Sequence, residues 1–248
     1  MQTFNNKNMG NLTSENLVCA DKLSTRWIAP IARWSVWQAE ESTLALPKID
    51  FVEPSLRRKL SALAKISLKV ANDCSDAVES VHFVYASRHG DLRRTTEMLS
   101  DLAEEEQLSP TTFSMSVLNA IAGIYSIAKN EKLPSTSLSA GKSSFGFGLM
   151  EACLQLANSP ETPVLYVYSD EAVPPEYGAA NEKLIPHAVA LLLSKDAELT
   201  ISCEMQEGDA DSDSDSDPQS YAFLHCLNEK CSQWQGDGRT WTWNKIDH

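Results

Sequence analysis

The sequence predicts an α/β fold built on a mixed β-sheet with helices on both faces. Segments with the two-residue alternation of strands and segments with helical spacing follow one another in the order β-α-β-α-α-β-α-β-β-β. Residues 186–193 and 198–204 are two strands joined by a short turn, so part of the sheet is antiparallel. With 248 residues, of which 42% are hydrophobic, the chain can bury one sizeable core.

The first half of the chain supplies two strands and three helices. Residues 31–38 alternate apolar and polar side chains and residues 80–86 are rich in β-branched and aromatic residues, so both are predicted as strands. Residues 54–72 and 114–129 show helical spacing. Asp91 is expected to cap a further helix over residues 92–105. Its predicted inner face consists of Leu92, Thr95, Leu99 and Leu102.

The centre of the chain predicts a strand that turns abruptly into a buried helix. Residues 135–140 form the strand, and Gly141 allows a sharp turn. The helix over residues 143–157 has apolar side chains in nearly every direction, so it belongs in the interior. The two serines that open it are expected to satisfy its first free backbone N–H groups. Lys142 then lies at the positive end of the helix dipole, where an enzyme would carry a nucleophile.

The last third predicts strands separated by an acidic run. Residues 164–170 are a strand, and residues 221–226 are a last strand before a Trp-bearing tail at residues 239–244. The acidic run, EGDADSDSDSD at residues 207–217, is interpreted as a solvated loop, with an acidic metal-binding segment as the alternative.

Composition excludes several classes of protein. A net charge of −13 argues against a nucleic-acid partner, because phosphate binding needs clustered Lys and Arg. No apolar run is long enough to span a membrane, and the polar start does not resemble a signal peptide, so we expect a cytoplasmic protein. The six cysteines are scattered, and only Cys226 and Cys231 lie close together. We therefore expect reduced thiols, no metal site and no cofactor.

Two chemical interpretations of the turn at Lys142 follow directly from the residues. Gly141-Lys142-Ser143 has the ending of a phosphate-binding loop, but Thr136 stands where the first glycine must be and no apolar strand precedes it. A serine hydrolase would need G-x-S-x-G, and the last position of that motif is broken. Its histidine base would come from later in the chain, where nothing singles out His187 or another candidate.

A third interpretation comes from resemblance to a known family. Residues 119–146, NAIAGIYSIAKNEKLPSTSLSAGKSSFG, resemble the central segment of β-ketoacyl synthases of the thiolase fold. In those enzymes a helix with N-x-x-A-G leads to a P-S-x-S strand, the nucleophile turn and a buried helix. Two further segments, ASRHGDLRRT at residues 86–95 and SPTTFSMSVLNA at residues 109–120, make the chain most similar to the β-ketoacyl synthase N-terminal-domain proteins. These resemble the chain-length factors of type II polyketide systems, including those that make aryl polyenes.

The resemblance implies half of a thiolase-like fold over residues 26–206. The rest of the chain is then a flexible N-terminal arm at residues 1–25, the acidic loop at 207–218, and a C-terminal strand and tail at 219–248. In the family two subunits dock about a two-fold axis, and the strand before the nucleophile turn pairs with its mate. The resemblance therefore assigns an interface to Pro134, Ser135, Ser137 and Ser139. It assigns the lining of an acyl tunnel to Val117, Ala120, Ile121 and Ile124.

The departures from the enzyme pattern indicate a non-catalytic role. Lys142 stands where a condensing enzyme has its acyl-accepting cysteine, and Cys153 lies about three turns further along the same helix. A protonated amine cannot replace a low-pKa thiolate. The chain ends where the half-fold that supplies the two catalytic histidines would begin, and His82 and His89 come too early to replace them.

We therefore expect a non-catalytic chain-length-factor subunit that pairs with a full-length ketosynthase. It would shape the acyl tunnel of the pair and meet the acyl carrier protein only indirectly. Two alternatives stay open at this point: an acyl-thioester decarboxylase of the same fold, and a nucleotide-binding enzyme of the phosphate-loop type.

Overall fold

The computed structural model describes residues 23–39, 45–178, 184–208 and 217–246. Its elements in chain order are β1 (Ser24–Gln38), α1 (Pro54–Arg57), α2 (Ala62–Ser75), β2 (His82–Ala86), α3 (Leu92–Ala103), α4 (Pro110–Ser114), α5 (Ala120–Lys129), β3 (Ser135–Leu138), α6 (Ser144–Asn158), β4 (Val164–Asp170), β5 (His187–Leu193), β6 (Leu199–Glu207), α7 (Gln219–Asn228), β7 (Cys231–Gly236) and β8 (Arg239–Ile246). A 3-10 turn, Pro175–Tyr177, follows β4. Most of the predicted arm and of the acidic loop lies outside the described residues, although β1 already begins at Ser24.

All strands of the described residues join one mixed sheet in the order β3-β2-β4-β5-β1-β6-β8-β7. β3, β2 and β4 are parallel, whereas all other neighbours are antiparallel. Helices α3 to α5 connect β2 to β3, and α6 connects β3 to β4. The carboxyl ends of the three parallel strands therefore meet at one edge, the usual position of a binding site in such sheets.

β1 belongs to both halves of the sheet. Its second half pairs with β5, from Gln38 opposite His187 to Ile31 opposite Leu193. Its first half pairs with β6 on the other side, and the register shifts between Ile31 and Arg33. A β-bulge of this kind bends the strand, which lets one strand serve two differently twisted halves.

Helices cover both faces of the sheet, as predicted. On one face α6 and α7 pack over a core that contains the buried rings of Trp234, Trp241 and Trp243. On the other face α2 and α5 pack over Phe83 and Leu165 and their neighbours. The predicted helix over residues 54–72 is two helices, because Ser61 caps α2 through the backbone N–H of Ala64.

The C-terminal predictions were wrong. Residues 221–226 lie in helix α7 rather than in a strand, and the predicted tail at 239–244 is the buried strand β8. Phe223, Cys226 and Leu227 all face the core, a spacing that suits a helix, while Trp241 and Trp243 alternate inward as in a strand.

The predicted inner face of α3 was also wrong. Thr96 and Met98 are buried, but Leu99 and Leu102 are 53% and 57% exposed. The reason is the position of the helix, since α3 packs against α4 at the edge of the molecule. Asp91 caps α3 as predicted and accepts a hydrogen bond from Arg94 N at 3.4 Å.

Candidate functional site

The candidate site is the turn that joins β3 to α6. Gly141 adopts a φ of 58°, so the predicted sharp turn needs a residue without a side chain. The Ser144 hydroxyl closes the turn, because it donates to Gly141 O at 2.7 Å and accepts from Ala140 N at 2.8 Å. Lys142 lies within this turn and is partly exposed. The connection is shorter than a G-x-x-x-x-G-K-[ST] loop, which leaves no cradle for a nucleotide phosphate.

The N-terminus of α6 is capped by distant side chains and not by its own serines. Asp237 Oδ2 accepts a hydrogen bond from Ser143 N at 3.0 Å, and Gln219 Oε1 accepts one from Gly146 N at 2.7 Å. The buried Ser143 hydroxyl makes no hydrogen bond within the described residues. The expected serine cap was therefore wrong, and a carboxylate lies at the positive end of the α6 dipole.

Asp237 reaches this position from the turn between β7 and β8. It adopts a φ of 51° and the next residue, Gly238, a φ of 66°. The turn of the hairpin is held by two contacts, because Gly208 N donates to Gly238 O at 2.8 Å and Arg239 lies 5.4 Å from the centre of the Phe147 ring. Trp241 packs so close to α6 that a Cβ on Gly146 would lie 2.5 Å from its ring. The hairpin thus fixes the Asp237 carboxylate over the turn.

The other candidate nucleophiles and bases lie away from this turn. Burial raises the pKa of the Cys153 thiol to about 12, so this residue stays protonated. His82 begins β2 at the opposite end of the strand, and His89 lies in the exposed turn after it. His187 is buried, and its ring carries a proton on Nδ1, which donates to Ile185 O at 3.1 Å.

The second ring nitrogen of His187 is hydrogen-bonded to Ser220. The serine hydroxyl donates to Nε2 at 2.7 Å, and both residues are buried. Burial lowers the pKa of the His187 ring to about 4. His187, one of the histidines that a hydrolase could use, is therefore bonded to a serine in α7 and not to Ser143 at the turn.

The four residues assigned to an acyl tunnel converge on one narrow pocket. It is lined by Val117, Ala120, Ile121 and Ile124 together with Tyr85, Leu60 and others. The cavity is about 10 Å³, which is room for about one water molecule. Val117 is 46% exposed in the connection before α5, because the predicted helix over 114–129 is interrupted there.

The four residues assigned to an interface lie along an open sheet edge. β3 pairs with β2 on one side only, in parallel register. Pro134 O and Leu138 O accept hydrogen bonds from β2, so alternate residues in between bond to β2 as well. Ser135 and Ser137 therefore direct their backbone N–H groups to the open side. The helices α5 and α6 adjoin β3, and each carries an exposed apolar side chain, Ile127 (74%) and Leu154 (55%).

Two buried carboxyl groups, those of Asp170 and Glu171, lie at the end of β4, at the carboxyl end of the parallel strands. Burial raises the pKa of Asp170 to about 6, although Tyr168 donates a hydrogen bond to it at 3.2 Å. Burial also raises the pKa of Glu171 to about 7, and Arg93 at 3.9 Å opposes that shift only in part. The Asp91 carboxylate, which lies 3.4 Å from Arg94 Nε, contributes to raising the pKa of Glu171.

Comparison with known families decides the identity of this fold. A profile of the β-ketoacyl synthase N-terminal domain matches residues 33–244. The chain belongs to this family. The match includes the strand-turn-helix at Lys142 and also α7, β7 and most of β8, so the Asp237 hairpin lies inside the family domain. No curated protein matches the chain.

Solved structures agree with this family assignment. The chain is 31% identical, with a TM-score of 0.74, to a chain in the structure of ketosynthase (ApeO) in complex with its chain length factor (ApeC) from Xenorhabdus doucetiae. The match covers 88% of this chain and 99% of that one, so the two have similar lengths. The ishigamide ketosynthase/chain length factor is 16% identical, with a TM-score of 0.60 over 81% and 72% of the two chains.

A β-ketoacyl synthase from Burkholderia phymatum shares the fold at 12% identity and a TM-score of 0.53. The match covers 69% of this chain but only 53% of that chain, which is therefore longer. The predicted thiolase-like ketosynthase fold is thus confirmed. Within the described residues, the structure contains no helix with the length and apolarity needed to cross a membrane.

Proposed function

We propose that this chain is a non-catalytic chain-length-factor subunit that pairs with a full-length ketosynthase of the type II polyketide, aryl polyene kind. The observation that carries the proposal is the turn before α6. By the resemblance of residues 119–146 to the condensing enzymes, Lys142 takes the place of their acyl-accepting cysteine. In the structure Asp237 binds the N-terminus of the helix that follows. The acyl carrier protein then meets this chain only through its partner.

Neither Lys142 nor Asp237 is suited to catalyse acyl transfer at this turn. A condensing enzyme needs a thiolate at this position, and a protonated amine is not a nucleophile. The free N–H groups of such a helix would also stabilise the negative charge that develops on the thioester oxygen. Here the Asp237 carboxylate already bonds to Ser143 N, and a second negative charge beside it is unfavourable. The site is therefore filled from within the chain.

The comparison with the ApeO and ApeC complex supports a paired subunit. This chain matches one chain of that complex over nearly its whole length, at 31% identity. The matched chain comes from a complex in which a ketosynthase binds a chain length factor. The longer β-ketoacyl synthase from Burkholderia phymatum matches over only about half of its length.

The open edge of β3 suits strand pairing with the ketosynthase. Ser135 and Ser137 direct backbone N–H groups outward, and small side chains let a second strand approach closely. The two helices beside the strand expose Ile127 and Leu154, which a partner would bury. An unpaired edge with apolar flanks is otherwise a site of aggregation.

The pocket behind Val117 suits a role in setting chain length. Its walls are apolar apart from Asp91 and Arg94, as a channel for a hydrocarbon chain requires. A cavity of about 10 Å³ holds no acyl chain, so Val117 and its connection must move outward when a chain enters. Val117 and its connection would then form a movable end of the acyl tunnel and limit the length of the chain that fits.

The experiment is co-expression with a ketosynthase followed by size-exclusion chromatography. Wild type should form a heterodimer, and Ser137→Pro should abolish it, because proline removes an outward N–H from the edge. Ser137→Ala keeps that N–H and is the matched control. A Ser137→Pro variant that still co-purifies in equal amount shows that β3 is not the docking element.

A second assay tests the lack of catalysis. The purified chain should form no carbon–carbon bond with acyl- and malonyl-loaded carrier protein, and Lys142→Cys should not restore one, because Asp237 still occupies the helix N-terminus. Condensation by the single chain would overturn the proposal. Release of CO2 from malonyl-loaded carrier protein by the chain alone would instead favour the decarboxylase.

A further inference from the structure

Helix α3 carries apolar side chains that the chain itself leaves uncovered. Leu99 and Leu102 are 53% and 57% exposed, although the helical pattern marks them as core residues. They are three positions apart and therefore neighbours on the helix surface. The adjoining helix α4 exposes Phe113 to 62%. We call the surface formed by Leu99 and Leu102 the α3 face.

The residues that follow and surround Leu99 and Leu102 in the sequence carry negative charge. Residues 97–106 contain five carboxylates and no Lys or Arg: Glu97, Asp101, Glu104, Glu105 and Glu106. All five are exposed. The helix end is fixed, because Glu105 N donates to Leu102 O at 3.2 Å and Glu106 N donates to Asp101 O at 2.9 Å. The glutamates therefore have a defined position next to the leucines.

A cleft runs along another side of the same helix. It has a volume of about 270 Å³ and lies between α3 and the Pro175–Tyr177 turn. Three carboxylates line it, those of Glu97, Asp101 and Glu176, against the single cation Arg93. Arg93 is already near Glu171, at 3.9 Å. The cleft thus has the size and the charge to receive a Lys or Arg side chain from outside.

The α3 face lies at the carboxyl end of the parallel strands. α3 begins directly after β2, and the cleft adjoins the segment that follows β4. The Lys142 turn follows β3 at the same end. A protein that covered the α3 face would therefore lie over the end of the sheet that holds the candidate site.

We propose that the α3 face is a docking surface for the partner ketosynthase, which contacts it with an apolar centre rimmed by Lys and Arg. This inference rests on the proposed function. Burial of Leu99 and Leu102 supplies the apolar contact, and the five carboxylates select a basic partner. An acidic carrier protein is repelled by the same charges, so this surface is closed to it.

The test measures binding of the purified ketosynthase to the full chain by isothermal titration calorimetry. Leu99→Ser with Leu102→Ser should raise Kd at least tenfold, because the apolar centre is lost. Ile28→Ser is the matched control, since Ile28 is also 57% exposed but lies on β1. Circular dichroism confirms that each variant is folded, as expected for exposed positions.

Charge is tested separately. Glu104→Lys with Glu105→Lys should weaken binding and reduce its salt dependence, whereas Glu79→Lys, at the other end of β2, should do neither. Leucine variants that bind like wild type overturn the α3 face while leaving the proposed function standing. Wild type that binds no ketosynthase overturns both.

Discussion

Asp237→Asn tests whether the hairpin carboxylate neutralises the N-terminus of α6. Asparagine has the same shape, keeps an oxygen that can accept from Ser143 N, and tolerates the φ of 51°. The substitution therefore removes the charge alone. A carboxylate at the N-terminus of a helix contributes about 0.3–1 kcal/mol when it is exposed, and Asp237 is exposed. For a chain of 248 residues this corresponds to a fall in Tm of roughly 1–4 °C.

The assay is thermal unfolding at low salt and at about 1 M salt, where the Debye length is about 3 Å. The difference from wild type should appear at low salt and shrink at high salt. Asp196→Asn is the control, because Asp196 is also exposed in a turn between strands but caps no helix. If both variants unfold at the same temperature, or if salt leaves the Asp237 difference unchanged, the charge does not act on the helix.

Three further predictions concern other parts of the molecule. The folded pKa of Glu171, about 7, exceeds its ordinary value of 4.5, so wild type loses stability as pH rises through this interval. Above about pH 7, the free energy of unfolding of Glu171→Gln should therefore exceed that of wild type by up to about 3 kcal/mol, and below pH 4.5 the two should be equal. Urea unfolding at a pH above and a pH below this interval measures the difference. Glu105→Gly should raise the free energy of unfolding by up to about 1 kcal/mol, because the φ of 61° at the end of α3 costs a non-glycine residue about 1–2 kcal/mol, of which the more flexible unfolded chain offsets roughly 0.4–1 kcal/mol; equal urea midpoints would contradict this. Val117→Phe and Ile124→Trp should shorten the products of the intact heterodimer at about 0.8 kcal/mol per excluded methylene, and mass spectrometry showing unchanged lengths would exclude this helix from the tunnel.

The features that the sequence predicted correctly are local ones. The strand at 164–170 matches β4 residue for residue, since a short apolar run between turn signals has few alternatives. The sharp turn at Gly141 could be predicted because glycine readily adopts the positive φ that the turn needs. Ala120, Ile121 and Ile124 line one pocket because their spacing puts them on one side of a helix, while their assignment to an acyl tunnel stays a prediction.

The features that were missed depend on distant contacts. Asp237 bonds to a backbone group 94 residues earlier, and no local pattern reports such a pairing. A signal for its hairpin was present, because Asp237-Gly238 separates two alternating runs that each contain tryptophan. The segment at 221–226 was assigned to a strand because a run this short fits a buried helix equally well. The helical spacing of Leu99 and Leu102 predicts that they are buried, but no other element of the described residues packs over them and both are exposed.

The double pairing of β1 also bears on how this protein is made. Ile31 pairs with Leu193 and Leu199, so β1 cannot join the sheet until more than 160 further residues have been synthesised. At about 5–20 residues per second this wait lasts roughly 8–35 s. During that time Trp27, Trp34 and Trp37 have no strand to pair with. Long-range pairing of this kind is slow and leaves a nascent chain open to misassembly. Synthesis of this chain therefore includes an interval of several seconds in which β1 is exposed without its partner strands.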